Sequence, residues 1–122
     1  MYEVSVEKTF SAAHALRDYH GATEPVHGHN WRVRVTFDGE RLDSAGVLVD
    51  FVEVRRMLDQ VVAHLDHKFL NDVEPFGGTN PSAENIARFV YERLESADWG
   101  AARLREVRVW ETNECAAAYR PK

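Results

Sequence analysis

Six histidines stand out in this chain, and three of them, His14, His27 and His29, have the spacing for metal chemistry. His27 and His29 are two residues apart, so in an extended segment both imidazoles point to one side. The same parity runs on through Trp31, Val33 and Val35, which makes it the apolar side. His14 shares the parity of Phe10, Val6 and Val4, again the apolar side. If these two segments are neighbouring strands, three imidazoles meet at one end of a sheet. Three histidines with an open fourth position describe a catalytic zinc site rather than a closed structural one. The alternative is a His-Gly-His loop with solvated imidazoles, and the matching parity of His14 favours the metal.

Composition narrows the setting. A chain of 122 residues and 14.0 kDa is one domain's worth, residues 1–122, and can bury a core without disulfides. A formal charge of −5 argues against a nucleic-acid partner, which normally demands a basic surplus. The single cysteine, Cys115, excludes a disulfide framework or a Cys₂ metal site and fits a reducing, cytoplasmic compartment. It reads as a small, semi-buried residue. No apolar run approaches the ~20 residues of a membrane span, and the N-terminus lacks the order of a signal peptide.

The elements that must position the histidines follow from periodicity. Residues 2–12 alternate as a strand, with Lys8 interrupting the apolar parity, and residues 29–37 alternate as a second. Their polar faces carry glutamates and arginines respectively, which suits cross-strand pairing. Residues 15–28, with Gly21, Pro25 and Gly28, form a long loop between them, and long loops in small domains are often functional. After a short extended piece at Val47–Val49, Asp50 caps a helix with the stripe Phe51, Val54, Leu58, Val61, Val62 and Leu65, ending near Asp66-His67. A second helix starts at Ser82, with Ile86, Phe89, Val90 and Leu94 as its stripe. Strands at 104–111 and 116–120 complete a β-β-α-α-β-β order: an α+β fold, a four-stranded antiparallel sheet with two helices on one face. The other face is polar and meets solvent or the water-filled centre of an oligomer. Glu111 shares a side with Val107 and Val109, so it points inward, where an unpaired carboxylate is costly. The tryptophans Trp31, Trp99 and Trp110 read as packing residues.

Several segments together resemble one family. Phe10 to Leu16, His27-Gly28-His29-Asn30, Leu48 to Phe51, Leu65 to Asn71, Asn80 to Asn85 and Trp110-Glu111-Thr112 are similar, in order and spacing, to the 6-pyruvoyl-tetrahydropterin synthase family. The resemblance spans nearly the whole chain. It implies the tunnelling fold, in which ββααββ subunits join their sheets around a central barrel, usually as a homohexamer (a dimer of trimers). It implies Zn²⁺ on His14, His27 and His29, and a pterin substrate anchored by Glu111, whose carboxylate can accept two parallel hydrogen bonds. It makes Asp66 and His67 a proton-transfer pair, and places Ser82, Thr112 and Asp50 in motifs that would lie at the substrate. Ser82 also explains itself as a helix cap. Lys8, Arg17 and Lys68 are candidate cations for a substrate phosphate.

One departure matters. The family's catalytic cysteine falls at Thr23 here, and a threonine hydroxyl is too weak an acid to replace a thiolate. Beside it, Glu24-Pro25-Val26-His27-Gly28-His29 resembles a subgroup with glutamate in place of that cysteine. The subgroup converts 7,8-dihydroneopterin triphosphate to 6-hydroxymethyl-7,8-dihydropterin, a folate precursor. Zinc on the substrate's side-chain oxygens would acidify them. Glu24 would then remove a hydroxyl proton and start retro-aldol cleavage, with Asp66-His67 handling the proton at the ring carbon. Two other expectations stand beside this zinc-dependent lyase. One is a 6-pyruvoyl- or 6-carboxy-tetrahydropterin synthase, the latter serving 7-deazapurine (queuosine) synthesis. The other is a non-catalytic or repurposed binder of a pterin or purine-like ligand.

Overall fold

A computed structural model describes residues 1–122. Strand β1 (Tyr2–His14) pairs antiparallel with β2 (His27–Gly39), and their registers run from Tyr2 opposite Gly39 to His14 opposite His27. Both strands reach further toward the histidines than the apolar alternation alone suggests: β1 runs on past residue 12, and β2 begins at His27 rather than at residue 29. The reason is the ladder, which continues through Ala12 opposite His29 and Ala13 opposite Gly28. The loop between them shrinks to residues 15–26.

Helix α1 (Phe51–Ala63) begins at Asp50, whose side chain accepts a hydrogen bond from the Val52 N–H at 2.9 Å. It ends three residues earlier than expected, because the chain must turn to bring residues 66–69 back to β1; His67 sits at φ +59° there. Helix α2 (Ala83–Glu95) begins at Ser82, which accepts from the Asn85 N–H at 3.1 Å. Strand β3 (Arg103–Thr112) pairs with β2, and β4 (Cys115–Tyr119) pairs with β3, so the spatial order is β1-β2-β3-β4. The 47–49 segment bends rather than forming a strand.

The core lies between the sheet and the helices. Phe10, Trp31, Val33, Val35, Phe37, Val107 and Val109 face Val54 and Leu58 of α1 and Ile86, Val90 and Leu94 of α2. Burying such side chains is worth about 1.5–3 kcal/mol each, which fixes the register that aligns the histidines. Lys8, on the apolar parity, reaches Asp59 of α1 at 3.0 Å, so the interruption is an ion pair at the rim of the core. On the other face Glu7 receives Arg34 at 2.7 Å and Arg32 at 3.5 Å, the expected pairing. Trp110 departs from expectation. It lies on this polar face, partly exposed, with the Arg32 guanidinium 3.9 Å above its ring, a cation–π contact rather than core packing. Phe51 also departs, at 51 % exposed, because the first turn of α1 overhangs the core; Leu42, Val47 and Val52 surface beside it.

Candidate metal and substrate site

Three strands deliver the site to one end of the sheet. The last rung of the β1–β2 ladder sets His14 against His27, and His29 follows one pleat inward. On β3, Trp110 pairs with Arg32, so Glu111 emerges next on the inner face. The result is a cluster of His14, His27, His29 and Glu111 whose ligand atoms all lie within 4.8 Å of one another. Trp31 stands edge-on to His14 and His29, 5.0 and 5.2 Å between ring centres, and walls the cluster from the core.

The ring nitrogens are already sorted. His14 Nδ1 lies 2.7 Å from the Pro81 carbonyl oxygen, and His27 Nδ1 lies 2.8 Å from that of Pro25. A carbonyl only accepts, so each Nδ1 carries the proton and donates, and each Nε2 is left with its lone pair. Those two Nε2 atoms are 3.0 Å apart. Two lone pairs at that distance repel unless a cation or a proton lies between them. His29 Nε2 is buried without a hydrogen-bond partner, although a Glu111 carboxylate oxygen is 2.9 Å away. Its direction misses the oxygen, so the short contact leaves the nitrogen unsatisfied. Burial lowers the His29 pKa below the ordinary imidazole value, an effect opposed by Glu111 and reinforced by His14 and His27. A neutral imidazole is the form that binds metal. The donor set therefore fits a divalent ion of the zinc type.

Glu24 comes to the same place. Its backbone N–H donates to the Leu16 carbonyl, and its carboxylate accepts from the Leu16 N–H, both at 3.0 Å. The carboxylate is 3.8 Å from His27 Nε2, and its side chain is only 18 % exposed. Thr23 beside it is exposed. Cys115, expected to be semi-buried, is exposed at the start of β4.

The other candidates spread out. Asp66 and His67 lie along the β1 edge, where the Asp66 carboxylate accepts from the Ser11 N–H at 3.0 Å and sits 2.9 Å from His67 Nδ1. The Ser11 N–H, aided by His67, holds the Asp66 carboxyl below the usual carboxylate range. His67 is 82 % exposed, and it shares with Ser11, His29 and Asn30 the lining of a groove of about 480 Å³. Ser82 adjoins the Pro81 carbonyl but spends its hydroxyl as a cap. Asp50 caps α1 and lines a groove with Leu42 and Trp99, apart from the histidines. The Thr112 hydroxyl accepts from the Glu114 N–H and closes the β3–β4 turn. Of the candidate cations, Lys8 is paired with Asp59, and the Arg17 guanidinium donates to the Asn71 and Phe76 carbonyls, so neither is available for a phosphate as placed.

Two asparagines emerge as the site's scaffold. Asn71 bonds the N–H and C=O of Ala15 at 3.0 and 2.7 Å, and Asn80 does the same for Arg17 at 2.9 and 2.8 Å. Together they pin the loop that carries Glu24. Residue type could not reveal this, because an asparagine in a loop reads equally well as a turn former.

Residues 3–122 match the family described as 6-pyruvoyl tetrahydropterin synthase. The chain is 37 % identical over 124 residues to the 6-carboxy-5,6,7,8-tetrahydropterin synthase of Synechocystis sp., covering 98 % of this chain and 93 % of that one. It is 35 % identical over 106 residues to the dihydroneopterin monophosphate aldolase of Pyrococcus furiosus, covering 87 % and 86 %. The structure of Caenorhabditis elegans 6-pyruvoyl tetrahydropterin synthase superposes with a TM-score of 0.82 at 27 % identity, over 100 % of this chain and 98 % of that one. The ββααββ fold, the four-residue His/Glu cluster and these likenesses lead to one conclusion: this chain belongs to the 6-pyruvoyl tetrahydropterin synthase family.

Proposed function

We propose that the protein is a zinc-dependent lyase that cleaves the side chain of a phosphorylated 7,8-dihydroneopterin by a retro-aldol reaction, releasing 6-hydroxymethyl-7,8-dihydropterin. The observation that carries this reading is Glu24: a carboxylate fixed by the Leu16 backbone, 3.8 Å from His27 Nε2, in a loop that has no thiol. The likeness to the Pyrococcus furiosus aldolase supports it.

His14, His27 and His29 would hold the ion, which supplies a Lewis acid for the two side-chain oxygens of the substrate. Glu111 would take the amino-pyrimidinone edge of the pterin and set which carbon faces the loop. Glu24 would accept the proton of the C2′ hydroxyl. As the C2′ carbonyl forms, the C1′–C2′ bond breaks and its electron pair runs into the ring C=N system. His67, oriented by Asp66, would return a proton to C1′. The products balance as 6-hydroxymethyl-7,8-dihydropterin and a two-carbon aldehyde that keeps the phosphate. Asp66-His67 sits on an exposed sheet edge, where the pair is open to the site of a neighbouring copy. We propose such a homo-oligomer, a dimer of trimers closed through the free edges of β1 and β4.

The test is incubation of the zinc-loaded protein with 7,8-dihydroneopterin triphosphate and, separately, the monophosphate, with chromatography of the pterins. The 6-hydroxymethyl product is expected from at least one of them, and its absence from both overturns the reading. Glu24→Gln keeps the acceptor for Leu16 but removes the base, so kcat should fall about 10²–10⁴-fold. A second reading, 6-carboxy-tetrahydropterin formation, is favoured by the 37 % identity to the Synechocystis enzyme. The same chromatogram decides between them. Pterin binding with no turnover and no zinc would leave only a binder.

A further inference from the structure

Glu111 stands where pterin anchoring alone does not require it to stand. A carboxylate waiting for the amino-pyrimidinone edge needs both oxygens directed at the ring. Here one oxygen is turned onto the imidazoles, 2.9 Å from His29 Nε2 and 3.7 Å from His14 Nε2. The contact with His29 is not a hydrogen bond, since that nitrogen is buried and has no partner with acceptable direction. Nor is it the usual supporting contact of a ligand histidine, which is made through the ring nitrogen that faces away from the metal; Nε2 is the nitrogen shared with the cluster. Donors around a tetrahedral ion with bonds of about 2.0–2.1 Å stand about 3.3 Å apart. The separations of 2.9, 3.0 and 3.7 Å lie on either side of that value. All four donors, from three strands, lie within 4.8 Å of one another, a set that a small inward movement would bring onto one ion.

Resting on the metal and pterin reading given above, we propose that Glu111 is the fourth ligand of the ion in the resting protein, and that the pterin ring takes it off the metal. The site is then closed until substrate arrives, since four protein donors leave no open position. One carboxylate cannot give both oxygens to the ring while bound to the ion, so ring and ion compete for Glu111. By linkage each must weaken the other's binding by the same factor. A substrate escapes that penalty because its side-chain hydroxyls replace the departing carboxylate. Glu111 is 34 % exposed, at the irregularity in the β3–β4 ladder between Trp110 and Thr112, so its carboxylate is not locked in by packing on every side.

The experiment uses unsubstituted pterin, which has the ring edge but no side-chain hydroxyls. Zinc affinity is measured by competition with a chromophoric chelator, and coordination by the visible absorption of the Co²⁺-loaded protein. Both are read for the wild type and for Glu111→Gln, with and without pterin, after circular dichroism has shown that the variant is folded. Glu111→Gln should weaken zinc binding at least 10–100-fold and alter the Co²⁺ bands. Pterin should weaken zinc binding and change the bands in the wild type, and do neither in the variant. The wild-type arm stands even if the variant does not fold. A wild-type spectrum and zinc affinity indifferent to saturating pterin overturn the exchange. A variant with unchanged zinc affinity and spectrum overturns the ligand role. If pterin does not bind the wild type at all, the pterin reading of the site fails instead, and the variant's zinc affinity and spectrum alone decide whether Glu111 is a ligand.

Discussion

His14 and His27 belong to the same His/Glu cluster with very different structural stakes. The His14 side chain is 1 % exposed and its Nδ1 satisfies the Pro81 carbonyl, whereas the His27 side chain is 38 % exposed over Pro25. Replacing His14 with alanine leaves a cavity and strands a buried carbonyl, a loss of about 2–4 kcal/mol. His27→Ala should cost no more than about 1 kcal/mol, because water can reach what it leaves. Both variants should lose bound zinc. Urea midpoints of the metal-free proteins, with metal analysis of the loaded ones, check the contrast; equal midpoints would show that the Pro81 bond contributes nothing. Glu24 has a similar double life, since its backbone and carboxylate both hold Leu16. That is why glutamine rather than alanine is the informative replacement there.

At the scale of elements, the loop between β1 and β2 is held from below by residues distant in sequence. Asn80→Ala removes two bonds to the Arg17 backbone and should destabilise the protein by about 1–3 kcal/mol. It should also speed amide hydrogen exchange at Arg17 and Glu24 while leaving the β2–β3 ladder protected. Uniformly faster exchange would mean global destabilisation, not a loosened loop. The β1 edge has its own fastening at Asp66. Its carboxyl pKa is held down in the folded chain, chiefly by the Ser11 N–H, and returns to about 3.9 on unfolding. The unfolded state thus takes up that proton at higher pH than the folded one. The stabilisation is full above pH about 4 and is lost as pH falls through the folded value. Asp66→Asn should therefore flatten the acid limb of stability measured by urea unfolding across that window. An unchanged slope would separate Asp66 from acid stability.

For the molecule as a whole, the sheet leaves β4 and most of β1 without an outer neighbour. Long open edges are hazards unless they are paired or covered. Beside the start of β1, Tyr2, Leu42, Val47, Phe51 and Val52 line an apolar groove of about 660 Å³. These features support assembly of several copies. Light scattering coupled to size exclusion should report a hexamer, and Phe51→Ser with Val52→Lys should yield smaller species. An unchanged mass in that variant would detach the patch from assembly.

The order of elements, the two helix caps and the parity of His14, His27 and His29 were legible in the chain, because alternation and capping are local and each side chain's face follows from counting. The threonine at the position of the family's cysteine and the glutamate beside it were legible only through the resemblance of the His-Gly-His segment to its family. What counting could not supply was anything that depends on two distant segments meeting. The overhang of Phe51, the exposure of Trp110 and the engagement of Arg17 depend on where α1, β2 and the 71–76 segment lie in space. So do the asparagine clamps on Ala15 and Arg17 and the Pro81 carbonyl that sets the His14 tautomer. Above all, the sequence by itself determined that three imidazoles share a face. Only the tertiary structure, by fixing the register of β3 against β2, decided that Glu111 turns its carboxylate into their midst.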